Sequence, residues 1–201
     1  MKIIQQSYEI LDNINRESLL KKIELAGRTC YKSEDKITED SASNFVKKIV
    51  ASGHFSVIEH VNISVKFITN RGVTHELVRH RIASYSQEST RYVNYGNKEM
   101  IFIQPHWWDD NEKKNGTIAW ISFMKNCETI YNFLLDQGLK PQDARGILPN
   151  DLKTEIVVTA NLREWKHILT LRTSDAAHPQ IKALMLPLLD QFKILLPEIF
   201  F

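Results

Sequence analysis

Apolar positions along the chain follow two rhythms. Val61, Ile63, Val65 and Phe67 alternate with Asn62, Ser64 and Lys66, the period of a half-buried strand, and Asn70-Arg71-Gly72 closes it. Ala42, Phe45, Val46, Ile49 and Val50 instead recur at helical spacing. Thr38 stands as N-cap of that helix, Glu39 and Asp40 fill its first turn, and Gly53 stops it. Trp120, Phe123, Met124, Cys127, Ile130, Tyr131 and Leu134 mark a long amphipathic helix over 117–137, closed by Gly138, whose stripe reads as core.

Weaker signals fill the rest. Residues 3–10 are strand-like with broken alternation, and Leu19, Leu20 and Ile23 suggest a short helix ending at Gly27. Gly72 leads into a short helix over 73–81, the polar, aperiodic stretch 82–97 reads as a loop, and 100–103 is a strand stopped by Pro105. Pro141 opens another short helix that Leu148-Pro149 stops, while 156–159 reads equally as extended or helical. Asn161 with Glu164 three positions on resembles a capping box for a helix through Arg172, and a last helix runs from Pro179 through Phe192, bent at Pro187. Helices outnumber strands without βαβ alternation, so the expected class is α+β in one domain over 1–201.

Composition narrows the function. A chain of 201 residues with 43% hydrophobic and 25% charged residues is that of a globular protein with a real core, and 26 basic against 24 acidic residues leave only +2, which argues against nucleic acid and membrane partners. Cys30 and Cys127 form no disulfide framework, no segment approaches the roughly 18 apolar residues of a membrane span, and the N-terminus turns polar too early for a signal peptide. A cytoplasmic location is expected.

Chemistry concentrates in one segment. Arg79-His80-Arg81 begins a stretch that ends at Arg91 and includes Ser84, Ser86 and Ser89, a set of guanidinium and hydroxyl donors suited to phosphate. Placed at a helix end, Arg79-His80-Arg81 would point cations to different faces and hold two anionic groups or one long ligand. Metal binding fares worse. His54, His60, His75 and His80 lie close in sequence, but the position four after His75, where a zinc helix needs its second ligand, is Arg79. There is no nucleophile elbow and no glycine cradle of the Rossmann or P-loop kind, so a nucleotide here must be held by side chains.

The segment resembles the signature R-H-R-x-x-S-x-x-x-x-S-x-R of the flavin-dependent thymidylate synthases, matched at Arg79, His80, Arg81, Ser84, Ser89 and Arg91. The run from His54 to His60 is similar to the family's H-x-[ST]-x-x-E-H element, and Ala144 to Pro149 to its A-R-x-x-L-P element. Asn161-Leu162-Arg163 and Arg172 match its C-terminal sites, so the similarity spans residues 25 to 185.

The resemblance implies a mixed or antiparallel sheet flanked by helices. It also implies synthesis of dTMP from dUMP, with methylenetetrahydrofolate as carbon donor, NADPH as reductant and FAD as hydride carrier, in a homotetramer whose sites are shared between chains. By that analogy Ser56, Arg79, His80, Arg81, Gln87, Asn161, Arg163 and His167 hold FAD. Glu76, Arg79, Gln87, Glu88, Ser89, Thr90, Arg91, Arg145 and Arg172 hold dUMP. Arg172 is the expected cation at the activated pyrimidine, His54 lines the flavin and folate pocket, and neither cysteine has a neighbour to activate it.

The chain departs from the family pattern at Gln87 (often Glu), His167 (often Asn), Glu76 (often Gln) and Ala177-His178-Pro179-Gln180, where A-Q-x-E is frequent. Two other classes compete: a nucleic-acid binder, which the near-neutral charge disfavours, and a non-catalytic nucleotide sensor of the same fold. Dependence of NADPH oxidation on dUMP separates the sensor from the enzyme.

Overall fold

The structure is a computed structural model that describes residues 1–96 and 98–201. Its elements are β1 (Lys2–Ile4), β2 (Ser7–Ile10), α1 (Arg16–Tyr31), α2 (Ser41–Ala51), β3 (Asn62–Asn70), α3 (Arg71–Leu77), β4 (Ala83–Gln87), β5 (Ile101–Ile103), α4 (Lys114–Asp136), α5 (Pro141–Ala144), β6 (Lys153–Asn161), α6 (Leu162–Arg172) and α7 (Pro179–Leu195). Strands β2, β3, β6 and β4 form one sheet in that order, and β1 pairs in parallel with β5, Lys2 opposite Ile101. Helices and sheet together give the α+β class. Among the described residues no helix is long and apolar enough to cross a membrane.

The chain divides into two compact units, each assembled from separate stretches. The first comprises Met1–Tyr8, Phe67–Arg79 and Tyr85–Val157, the second Glu9–Lys66, His80–Ser84 and Val158–Phe201. In the first, Met100, Phe102, Met124, Tyr131, Ala144 and Leu152 form a buried cluster beneath α4. Trp120 packs edge-on to Phe102, and its indole N–H donates to Asp151 at 2.7 Å, so its polar atom is satisfied at the core margin. In the second, fully buried Trp165 of α6 packs on Phe192 of α7, with its indole N–H on the Ile63 carbonyl at 2.9 Å. Buried Glu198 is held there by Arg16 and by the Ser43 hydroxyl.

Several expectations need correction. Helix α1 does not stop at Gly27 but runs on to Tyr31. Gly27 is used for close packing: a Cβ there would lie 2.6 Å from the Phe45 ring, which itself carries the Arg28 guanidinium 4.5 Å from its centroid. Asp40, not Thr38, precedes α2, and the Thr38 N–H goes to the Ser41 hydroxyl.

Helix α3 starts two residues earlier than expected, because the Asn70 side chain accepts the Val73 N–H at 2.8 Å, and it ends at Leu77. Arg79-His80-Arg81 therefore lies outside any helix. The expected loop over 82–97 contains β4: backbone pairing gives polar Ala83–Gln87 a place at the sheet edge, where polar side chains are tolerated. The end of that loop, Asn97, lies outside the described residues. The ambiguous 156–159 is the middle of a nine-residue strand, whose alternation polar Thr154 and small Ala160 had disguised.

A bulkier residue at Gly27 has to displace a ring already sandwiched by Arg28. Gly27→Val is expected to lower the unfolding free energy by about 2 kcal/mol or more, read as a shift of the urea midpoint at unchanged slope.

Candidate functional site

In the second unit the site is organised by the end of β6. The Asn161 side chain accepts the Glu164 N–H at 2.8 Å and starts α6, so Glu164 and His167, three apart, share one helix face. Against that face lies His80, only 6% exposed. Its Nδ1 is 3.7 Å from the Glu164 carboxylate, and its ring meets that of His167 edge-on, centroids 5.8 Å apart. From the last turn of α6, Arg172 donates its Nε–H to His80 Nε2 at 3.0 Å.

That last bond fixes the protonation of the ring. An imidazole nitrogen can accept only through its lone pair, so His80 is neutral and carries its proton on Nδ1, facing Glu164. Burial, followed by the charge of Arg172 and by His167, drives its pKa down from 6.5 to about 4.

Ligand atoms of His80, Glu164 and His167 lie within 4.8 Å of one another, a grouping the sequence concealed because His167 is so distant in the chain. A cation placed there would sit against the Arg172 guanidinium, which already occupies one nitrogen of His80.

Beside this cluster opens a groove of about 530 Å³, lined among others by Phe55, Ile82, Asn161, Arg163, Lys166 and His167. Arg163 is paired with Glu59 at 2.5 Å, an exposed contact worth little by itself. Lys166 was not singled out in the sequence. Its ammonium donates to the Ile199 carbonyl at 3.1 Å and lies 5.9 Å from the Phe55 ring centroid; burial and nearby Lys193 lower its pKa. Ser56 lies on the exposed side of the 3-10 turn Phe55–His60, with His54 exposed just before it, and Arg81 is exposed beside Ile82.

The first unit holds the other expected residues. Gln87, last in β4, donates its amide N–H groups to the hydroxyls of Thr74 at 2.9 Å and Thr154 at 3.3 Å. Thr74 already donates its own proton to the Arg71 carbonyl, so it can only accept from Gln87, which fixes the orientation of the amide.

Glu88 is engaged at every polar group: its N–H by Glu155, its carbonyl by Arg71, and its carboxylate by Tyr95 at 2.7 Å and Lys153 at 3.0 Å. Burial opposes the charge on Lys153, but the hydrogen bonds it donates to Glu155 and Glu88 outweigh it and raise its pKa; burial also raises that of Tyr95.

Arg71, read in the sequence only as a strand terminator, belongs to this network. Its buried Nε has no hydrogen-bond partner among the described residues. Ser89 accepts the Arg91 N–H at 3.2 Å, exposed Arg91 lies over Tyr92, Thr90 is half-buried, and the Arg79 N–H returns to the Glu76 carbonyl. Arg79 and Arg145 are exposed.

The expected FAD residues thus fall mostly in the second unit, with Arg79 and Gln87 in the first, while the expected dUMP residues fall in the first unit apart from Arg172. Of the polar neighbours that support them, Arg71, Lys153 and Lys166 carried no functional motif, and Glu164 was legible only as part of the capping box of α6.

Because folded His80 refuses a proton that the unfolded chain accepts, its contribution to stability is complete above pH 6.5 and drains away as pH falls toward about 4. Between pH 7 and pH 5 this corresponds to about 2 kcal/mol. In urea titrations at the two pH values, His80→Gln is expected to lose less stability than the wild type over the same interval.

The family model for the thymidylate synthase complementing protein, Thy1, matches residues 13–198. The flavin-dependent thymidylate synthase of Geobacter sulfurreducens is 37% identical over 185 residues, which cover 89% of this chain and 79% of that one. The one from Mycobacterium marinum is 35% identical over 194 residues, covering 89% and 77%. Among solved structures, the UMP/dUMP methylase PolB from Streptomyces cacaoi, bound with 5-Br dUMP, has the same fold, with a TM-score of 0.81 at 22% identity over 99% of this chain and 95% of that chain. With a family match over nearly the whole chain and relatives of this identity, the chain belongs to the Thy1 family of flavin-dependent thymidylate synthases.

Proposed function

We propose that the chain, acting as one functional domain over 1–201, catalyses reductive methylation of dUMP to dTMP without a covalent enzyme nucleophile. Methylenetetrahydrofolate supplies the carbon, and NADPH supplies the electrons through FAD. The observation that carries this reading is the groove beside His80, which offers guanidinium, ammonium and amide donors around an aromatic wall, Phe55. Such a lining fits a flavin dinucleotide, with cations for the pyrophosphate and an aromatic face for a ring system. In this reading Asn161, Arg163, His167 and Ser56, with Arg79, Arg81 and Gln87, hold the flavin, and His80, expected among them from the signature, turns its side chain inward and supports the site from behind. A flavin held by these residues would supply hydride transfer between the reductant and the pyrimidine.

The chain's own groups then bind and polarise. Arg79, Arg91 and Arg145, all exposed, with Ser89 and Thr90, hold the phosphate of dUMP, while Gln87, Glu88 and Glu76 fasten the segment around it. Arg172 stabilises negative charge developing on the pyrimidine carbonyls, which makes carbon 5 nucleophilic, and His54 lines the carbon-transfer side. A thiolate route finds no support: Cys127 is buried with its pKa raised by burial, and Cys30 turns its thiol to the Ala26 carbonyl. The two unpaired thiols suit the reducing cytoplasm. A homotetramer is supported by α4, which exposes Ile118, Phe123, Ile130 and Phe133.

The deciding experiment is spectroscopic. Purified protein is expected to bind flavin, to show a perturbed oxidised-flavin band on addition of dUMP, and to oxidise NADPH only when dUMP is present; a colourless protein indifferent to both nucleotides would overturn the reading. Arg172→Ala is expected to lower the rate of dTMP formation by at least about 100-fold while most flavin stays bound. Cys30→Ala and Cys127→Ala are expected to turn over at close to the wild-type rate in the same assay, and an inactive but folded variant of either would reopen covalent catalysis.

A further inference from the structure

His80 sits in the middle of the arginine signature, yet its side chain is turned inward. It is 6% exposed, its Nε2 accepts from Arg172 at 3.0 Å, its Nδ1 faces Glu164 at 3.7 Å, and His167 covers its edge. Both ring nitrogens are thus directed to partners within the chain. Arg172, in contrast, is half-buried, at the last position of α6.

A guanidinium is planar, so engaging its Nε on a fixed acceptor sets the plane of the whole group and the direction of its Nη1/Nη2 fork. The acceptor is itself held. Glu164 belongs to the first turn of α6, where Asn161 caps the helix, so the Asn161–Glu164–His80–Arg172 chain of contacts runs from the start of α6 to its end.

We infer that His80 is a positioning residue for Arg172: its neutral imidazole, oriented by Glu164, aims the Arg172 guanidinium, and its side chain acts through that arginine instead of touching the flavin. The consequence for the reaction rests on the reading of Arg172 as the cation at the pyrimidine. Only an acceptor in place of His80 preserves the effect. Glutamine presents an amide oxygen to the same N–H, whereas leucine fills similar volume with no acceptor at all.

The test follows the Arg172 Nε–H itself by 15N NMR of arginine-labelled holoprotein at pH 7, alongside flavin content and steady-state rates. In the wild type, the Nε–H is expected to be protected from solvent exchange. His80→Leu is expected to lose that protection and to lower kcat by roughly 10- to 100-fold, with flavin content and the KM for NADPH unchanged, the penalty of a misaimed catalytic group. His80→Gln is expected to regain protection and part of the rate.

Persistence of the protected resonance in His80→Leu overturns the inference. So does loss of flavin from that variant with normal turnover per bound flavin. Should the resonance behave as described while Arg172→Ala turns over normally, the positioning of Arg172 by His80 stands and only the role given to Arg172 falls. Because His80→Gln keeps a polar side chain in the same place, its rescue separates loss of the hydrogen bond from a general failure of packing.

Discussion

A neutral, buried imidazole accepting a hydrogen bond from an arginine is the interaction around which the second unit's site is built. It works only while the ring stays uncharged, and the surroundings enforce this: desolvation and the adjacent guanidinium both penalise imidazolium, and together they outweigh the attraction of Glu164. A permanent cation is thereby held at its Nε by a neutral acceptor, beside the groove.

The first unit solves the opposite problem. Its cations are restrained by acids: Lys153 lies between Glu88 and Glu155, and the same Glu88 also takes the Tyr95 hydroxyl. This half-buried network ties the turn after β4 to β6 and gives Gln87 a fixed frame of threonine hydroxyls. The segment that follows, through Ser89 and Arg91, is left exposed at its guanidinium and anchored at its base. Rigid support beneath an exposed donor is the arrangement that lowers the entropic cost of gripping an anionic ligand.

Much of this was legible in the order of residues. Periodicity located α2, β3, α4 and α7, because each buries one face and must repeat at its own period. Asn161 read as the cap of α6 from its type and its distance to Glu164, since capping is a contact between near neighbours. The arginine signature and its companion elements point to the family from the order of residues alone. The failures were equally physical. β4 is polar, and its strand character comes from its neighbour in the sheet; Gly27 looked like a stop because its close approach to Phe45 depends on a helix 14 or more residues away.

What the sequence by itself determined is therefore everything carried by local chemistry: the helix and strand periods, the caps, the class of ligand that a dense array of guanidinium groups demands, and the family. What only the tertiary structure decided is which of those groups face each other. Nothing in the letters Arg79-His80-Arg81 says that the central residue turns inward to meet Arg172 and Glu164, or that Arg71 and Lys153 converge on Glu88. Those pairings join positions that are distant along the chain, and burial alone makes them strong enough to set protonation states, because a charge removed from water is governed by its nearest partners.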